Sequence, residues 1–416
     1  MTAAAPVTGT GLAAVRARFA PLFEAIAAAA PVHEREGTRP HREVAELAAA
    51  GFGALRIPTE LGGAGLGVED FFALLVDLAA ADSNQPQLWR NHIAFVEDRL
   101  AGGTDDDQRR LRRIARGDVI GGAWSEVGSA GILGDTRLER VDGTLRLNGT
   151  KYYSTGSLFA DEIGVFALDE AGDARIALVD ATAEGVELRD DWTGFGQRAT
   201  GSGTTVLRDV VVADEDVLPF AERSPVQEAV YQLVLVATLA GIGRAARDDV
   251  IGRVRARTRT HVHANATVAA DDVQVQQVVG RVAALAASAE GSVGRAARAL
   301  DEAIRAEEAA ATAAARAAAI AVYEAQVSVA PAVLEASALL FDALGSSGVQ
   351  RDAALDRHWR NARTVASHNP LVYKERVLGD WYLNAADPLA IFSTALQGAA
   401  DAPGPADDAA REGDRA

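Results

Sequence analysis

From Leu12 to about Gly117, apolar residues recur at three- and four-residue spacing in LAAVRARFAPLFEAIAAAA, HREVAELAAAGFGAL and VEDFFALLVDLAAA. That period lays one apolar stripe along a helix, and it predicts an N-terminal helical domain over 1–117. Between Asp118 and Phe220 the texture changes. β-Branched and aromatic residues alternate with polar ones, as in TRLERVDGTLRLNGTKYYS, and Asp142-Gly143 is a hairpin signal. A middle β domain over 118–222 is predicted. After Pro225 the helical period returns in VQEAVYQLVLVATLAGIGRAARDDVIGRVRAR and persists to about Ala399, predicting a C-terminal helical bundle over 223–399 of the four-helix kind, with a subunit interface. The alanine runs within it read as packed helix, since alanine is the best helix former and charges recur among them. The end of the chain, 400–416, holds turn formers and charge with almost no large apolar residue, and is predicted to be a disordered tail. The fold class is α+β, mainly α.

Composition narrows the chemistry. A chain of 416 residues exceeds what one core fills, so several domains are expected. A formal charge of -17 disfavours nucleic acid or an anionic membrane as partner, because both reward a basic footprint. With no cysteine there is no disulfide, thiolate nucleophile or cysteine-held metal, a pattern that suits a cytoplasmic protein. The N-terminus lacks the charged and apolar regions of a signal peptide, and no charge-free apolar run approaches about 18 residues, so no membrane span is predicted. His261-Val-His263 has metal-ligand spacing but no third ligand nearby, and no metal site is expected. The glycines of GGAGLG do not follow a strand, and RRLRRIARGD reads as a solvated helix face.

Local motifs then agree, in order, with one family. LRIPTELGGAGLG (55–67) resembles the Pro-Glu-x-x-Gly-Gly turn of the acyl-CoA dehydrogenase family, LNGTKYYSTGSLFAD (147–161) its flavin-facing strand, and FGQRATGSGTTVLRDVVV (195–212) its closing β segment. The resemblance runs from about Leu12 to Ala399 and implies that family's fold: an N-terminal helical domain, a middle β-barrel-like domain and a C-terminal four-helix bundle. Two blocks, LDRHWRNARTVASHNPLVYKERVLGDWYLN (355–384) and DDWTGFGQRATGSGTT (190–205), are more similar to a branch typified by dibenzothiophene monooxygenase. That branch takes reduced FMN from a separate NAD(P)H-dependent flavin reductase, and oxygenates its substrate with O2 through a peroxyflavin.

A dehydrogenase of this family needs a carboxylate over the substrate to remove an α-proton. The resemblance places Asn369 there, with His368 before it, and Asn cannot accept a proton at neutral pH. An alternative position for the base falls near Tyr231 and Gln232, which supply no carboxylate, although Glu228 is close in sequence. A monooxygenase needs instead a dry, shaped cavity and a few hydrogen-bond donors. The resemblance implies His368, Asn369, Thr155 and His92 as catalytic groups, with His92, Phe95 and Val96 at the substrate; Val96 stands where the relative has tyrosine. For the flavin it implies Ser154 and Thr155 at the ring edge, Trp192 against the ring system, Ser125 in the loop 121–129, and His368. Arg259, given by a neighbouring subunit, would hold the phosphate with Ser347 as a weaker candidate, and Val262-His263 replaces the Phe-Gly that helps dehydrogenases hold FAD. The expectation is a homotetrameric FMN monooxygenase acting on a small organosulfur substrate. Alternatives are a flavin-dependent amine N-hydroxylase, an FAD-dependent acyl-CoA dehydrogenase, and a catalytically silent flavin-fold binding partner.

Overall fold

The computed structural model describes residues 11–128 and 134–389, so the predicted tail at 400–416 lies outside the described residues. Six helices come first: α1 (Leu12–Glu36), α2 (His41–Ala49), α3 (Val68–Ala81), α4 (Asn84–Leu88), α5 (Arg90–Gly102) and α6 (Asp105–Ala115). Helix α6 starts where the sequence supplies a reciprocal cap. The Thr104 hydroxyl accepts from the Asp107 amide while the Asp107 carboxylate accepts from the Thr104 amide.

Eight strands follow: β1 (Ile120–Ala123), β2 (Arg137–Val141), β3 (Thr144–Lys151), β4 (Glu162–Asp169), β5 (Ala174–Asp180), β6 (Val186–Leu188), β7 (Thr205–Val212) and β8 (Val217–Pro219). They form one mixed sheet in the order β6-β7-β3-β2-β4-β5-β8, with β1 parallel to β4 off that path. The hairpin predicted at Asp142-Gly143 joins β2 and β3, and both residues have the positive φ that such a turn requires. This sheet is the middle β layer that the resemblance implies; among the described residues its path ends on the short strands β6 and β8.

Five helices complete the chain: α7 (Gln227–Arg255), α8 (Val273–Ile304), α9 (Glu308–Leu344), α10 (Asp356–Ser367) and α11 (Leu371–Asn384). Leu233, Val234, Leu235, Val236, Ala237 and Ala240 of α7 are fully buried and share one core with α3, α8, α9 and α10. Helices α7 and α9 are long and apolar enough to cross a membrane by length and composition alone, although charges interrupt the apolar run of each. In α7 that apolarity is spent inside the protein, because most of its apolar stretch is buried in the bundle. Helix α8 buries one stripe, Val282, Ala286, Ala289, Val293, Ala296, Ala297, Leu300 and Ala303, as a period near 3.6 dictates.

Candidate active site

Between the helices and the sheet lies a cavity of about 880 Å³, lined by Arg90 and Asn91 of α5, Gly122 of β1, Trp124, Ser125 and Glu126 after it, Tyr153 and Thr155 after β3, the loop 192–202, the start of α7, and the junction of α10 and α11. A void of this size accommodates a cofactor together with a small substrate. The loop 192–202 is held from α10, where Asn361 accepts from the Gln197 amide at 2.6 Å and donates to Ser83 at 3.0 Å. Arg360 donates to the Phe195 carbonyl at 2.9 Å.

One wall is a relay of hydroxyls. Thr155 Oγ1 lies 2.7 Å from Ser202 Oγ, which lies 2.7 Å from Thr200 Oγ1, whose proton goes to the Gln197 carbonyl at 2.8 Å. Each hydroxyl has one proton. With Thr200 committed to a carbonyl, Ser202 donates to Thr200, and the Thr155 proton goes to Ser202 or to the Tyr153 carbonyl at 3.3 Å; either way Thr155 turns an accepting oxygen toward the cavity. Tyr153 sits just before it at φ 58, a left-handed conformation that non-glycine residues adopt rarely and that is common where a site dictates the backbone. Its ring meets Trp192 edge-on at 6.0 Å, and Trp192 Nε1 donates to the Gly196 carbonyl at 3.2 Å.

The opposite end is polar and charged. His368 Nε2 lies 2.7 Å from Arg90 Nη2. A guanidinium can only donate, so His368 Nε2 accepts and the neutral ring carries its proton on Nδ1. Enclosure by the protein, then the Arg90 charge, hold this imidazole well below its ordinary range, and its open face is the one turned to the cavity. Asn369 Nδ2 donates to Gln232 Oε1 at 2.9 Å. Gln232 in turn donates to Glu228, which also takes Lys374 Nζ at 3.3 Å. Burial raises the Glu228 carboxyl against the pull of Lys374 and Arg90. The second cavity carboxylate, Glu126, is bonded by Lys151, Thr136 and the Asp135 amide.

Several expected site residues therefore meet here: His368, Asn369, Thr155, Trp192 and Ser125 all line the cavity. Others do not. His92 is 1% exposed and faces away from it, with Nδ1 accepting from the Ile120 amide at 3.1 Å and Nε2 donating to the Gly53 carbonyl at 3.0 Å. It fastens α5 to β1 and to the turn before α3, and both ring nitrogens are used up. The cavity position belongs to its neighbours Arg90 and Asn91, because each step along a helix turns about 100°. Val96, for the same reason, packs in a core with Ile57, Leu111 and Ile114. Phe95 reaches only a recess of about 30 Å³ behind Asn91, Trp124 and Tyr231.

Ser154 sits behind Thr155, 2% exposed, its amide donating to the Gly203 carbonyl and its hydroxyl without a partner. Ser347 is bound into the turn after α9, donating to the Leu344 carbonyl and accepting from Arg257. Arg259 is exposed and lines no part of the cavity of its own chain. Among the described residues there is no cluster able to hold a metal ion. Residues overlooked in the sequence are Arg90, Asn91, Ser202, Arg223 and Asn361; only the segments carrying Ser202 and Asn361 stood out there, and neither residue did.

Comparison with known proteins agrees with this fold. Residues 13–118 match the acyl-CoA dehydrogenase N-terminal domain family and residues 233–372 the acyl-CoA dehydrogenase C-terminal domain family. A protein of Pseudomonas putida named a probable FMNH2-dependent monooxygenase, SfnC, is 29% identical over 86% of this chain and 92% of its own length. The dibenzothiophene monooxygenase TdsC of Paenibacillus sp. A11-2, solved with FMN and indole, superposes with TM-score 0.82 at 26% identity, covering 90% of this chain and 98% of TdsC. The methanesulfinate monooxygenase MsuC of Pseudomonas fluorescens superposes with TM-score 0.83 at 26% identity, covering 92% of this chain and 98% of MsuC.

Proposed function

This chain belongs to the acyl-CoA dehydrogenase family, and from that premise we propose that it is a two-component monooxygenase, using reduced FMN from a separate flavin reductase and O2 to oxygenate a small organosulfur substrate. The observation that carries this reading is that, among the described residues, no free carboxylate faces the cavity: Asn369 stands at the position of the base, and Glu228 and Glu126 are each bound by a lysine. The residues present fit FMN. The volume suffices, Trp192 and Tyr153 offer flat apolar surface, and Gly122 and Gly194 leave the wall open where a Cβ would collide with Asn91 and Trp192.

Reduced FMN, when bound, supplies two electrons and activates O2. The chain's own residues do the rest. Thr155, with its proton taken by Ser202 or the Tyr153 carbonyl, offers an acceptor, and an acceptor prefers a ring edge that carries N–H, as reduced flavin does. His368 offers Nδ1–H, and Asn369 is held in place by Gln232 as a neutral amide. Helix α5 and the loop 192–202 keep bulk water from the reacting atoms. Arg259 of a second copy holds the FMN phosphate, in a homotetramer assembled through the bundle. The exposed Val372, Tyr373, Tyr382 and Leu383 of α11 support an association surface there. The enzyme acts in the cytoplasm, where NAD(P)H keeps the reductase supplied.

The test mixes the protein with FMN, a flavin reductase, NADH and O2, and follows sulfides, sulfones, sulfinates and amines for a mass gain of one oxygen. Oxygenation of a sulfur compound is expected. Reduction of bound FAD by an acyl-CoA, with no compound gaining oxygen, overturns the reading. Glu228→Gln separates the two chemistries further: an oxygenase should lose about tenfold or less, whereas a dehydrogenase deprived of its base would lose about 10²-fold or more.

A further inference from the structure

Among the described residues, two guanidinium groups that line the cavity have no carboxylate partner. Arg90 makes one hydrogen bond, to His368, and lies 5.1 Å from the Tyr231 ring centroid; its Nε is buried and bonded to nothing. Arg223 lies on the same wall, giving its protons to the Phe220 carbonyl and to Gln227, 3.3 Å over the Phe220 ring and 5.5 Å from Trp124. Neither makes an ion pair, although the protein pairs most of its other interior cations: Arg56 with Glu97, Arg99 with Asp107, Lys151 with Glu126 and Lys374 with Glu228. The acid nearest to Arg90 in its effect, Glu228, is already bound by Lys374 and Gln232. Asp98, which influences Arg223, is bound by the Ser224 amide and by Gln227.

A guanidinium does not lose its proton in a protein, so it cannot escape burial by becoming neutral. Desolvating one without an anion is costly, and sites that keep such a group supply the anion from a ligand. The planar fork of Arg90 suits a two-oxygen anion, which it bonds through paired donors. We infer that Arg90, seconded by Arg223, is an oxyanion subsite, and that the substrate is an anionic organosulfur compound, an alkanesulfinate, in preference to a neutral sulfide, sulfone or thiophene. This inference rests on the monooxygenase reading above. One oxygen atom of O2 then forms the new S–O bond at the sulfinate lone pair, giving a sulfonate; the other leaves as water. Sulfur gives two electrons, and reduced FMN gives two electrons and two protons. The short apolar side of the pocket, Trp124 and Tyr231 with ring centroids 5.8 Å apart, takes the alkyl group.

The test uses a pair of near-isosteres that do not react, ethanesulfonate and ethyl methyl sulfone, titrated calorimetrically into protein saturated with FMN so that the phosphate site is occupied. Wild type should bind the sulfonate about a hundredfold tighter than the sulfone, and Arg90→Gln should abolish most of that preference while leaving sulfone binding unchanged. Arg90→Lys, which keeps the charge and loses the fork, should fall between. Equal binding of the two probes to wild type overturns the subsite, a result that needs no variant to fold. An equal loss of both probes in Arg90→Gln also overturns it. If the sulfonate binds as expected while neither ethanesulfinate nor any neutral compound gains oxygen, the monooxygenase reading fails and the anion subsite stands.

Discussion

At the scale of single residues, α5 shows how one step along a helix separates a structural histidine from a site. Arg90, Asn91 and His92 are consecutive, and each is polar, yet only the first two line the cavity. Both His92 nitrogens hold backbone groups that would otherwise be buried without partners. His92→Leu should therefore cost about 3 kcal/mol in urea denaturation, with oxygenation per folded molecule preserved. Loss of turnover at unchanged stability would return His92 to the reaction. The pH dependence follows with a definite sign. Burial lowers the His92 pKa from 6.5 to about 4, against the pull of the Gly53 carbonyl. Between those values the unfolded chain binds the extra proton, so this contribution is present above pH 6.5 and is lost as pH falls toward 4. Taking the protein from pH 7 to pH 5 should cost wild type about 2 kcal/mol more than His92→Leu, measured as the difference between their urea midpoints. Equal acid sensitivity would mean that the histidine is not buried neutral.

At the scale of elements, the site depends on close approaches that glycine permits. A Cβ on Gly122 in β1 would lie 2.6 Å from Asn91 Cγ, and Asn91 holds the Thr155 carbonyl at 3.1 Å. The obstacle is the end of a mobile side chain, so Gly122→Ala should fold with little change in Tm. Asn91 would swing away from Thr155, and reduced-FMN affinity should fall about tenfold, as read by anaerobic fluorescence titration. Unchanged affinity would show that Asn91 does not position the flavin wall. Gly156 differs because its φ is +84 and its Cβ would meet the Leu88 carbonyl at 2.2 Å, a backbone atom that cannot move aside. That glycine serves the fold, fastening the Thr155 turn against α4.

At the scale of the whole molecule, a single chain supplies a cavity with flat walls, hydroxyls and a charged end, but Arg259 stands outside it. If a second copy brings Arg259 to the FMN phosphate, then FMN affinity depends on assembly. Arg259→Ala should weaken FMN about tenfold, with the sedimentation coefficient unchanged. Dilution of wild type below its association range should weaken FMN in the same way. A monomeric wild type with undiminished affinity would remove the cross-subunit phosphate contact.

Much of this was legible in the chain because it depends on local rules. Helical periodicity before Asp118 and after Pro225, alternation between them, and the turn at Asp142-Gly143 state which element each stretch forms, and α1 to α6, the eight strands and α7 to α11 follow that order. His368 and Asn369 came instead from the resemblance of the block 355–384, which no local rule supplies, and both line the cavity. What the sequence could not decide was direction and distance. Helix phase at α5 turned Arg90 and Asn91 inward instead of His92, a rotation set by how α5 packs on β1. The hydroxyl relay from Thr155 to Gln197 joins residues far apart in the chain, and the Arg90 contact with His368 joins α5 to the end of α10. Periodicity constrains which face of an element is apolar. Only the packing of several elements at once decides which polar groups are left without partners, and here Arg90, one of those groups, lines the cavity.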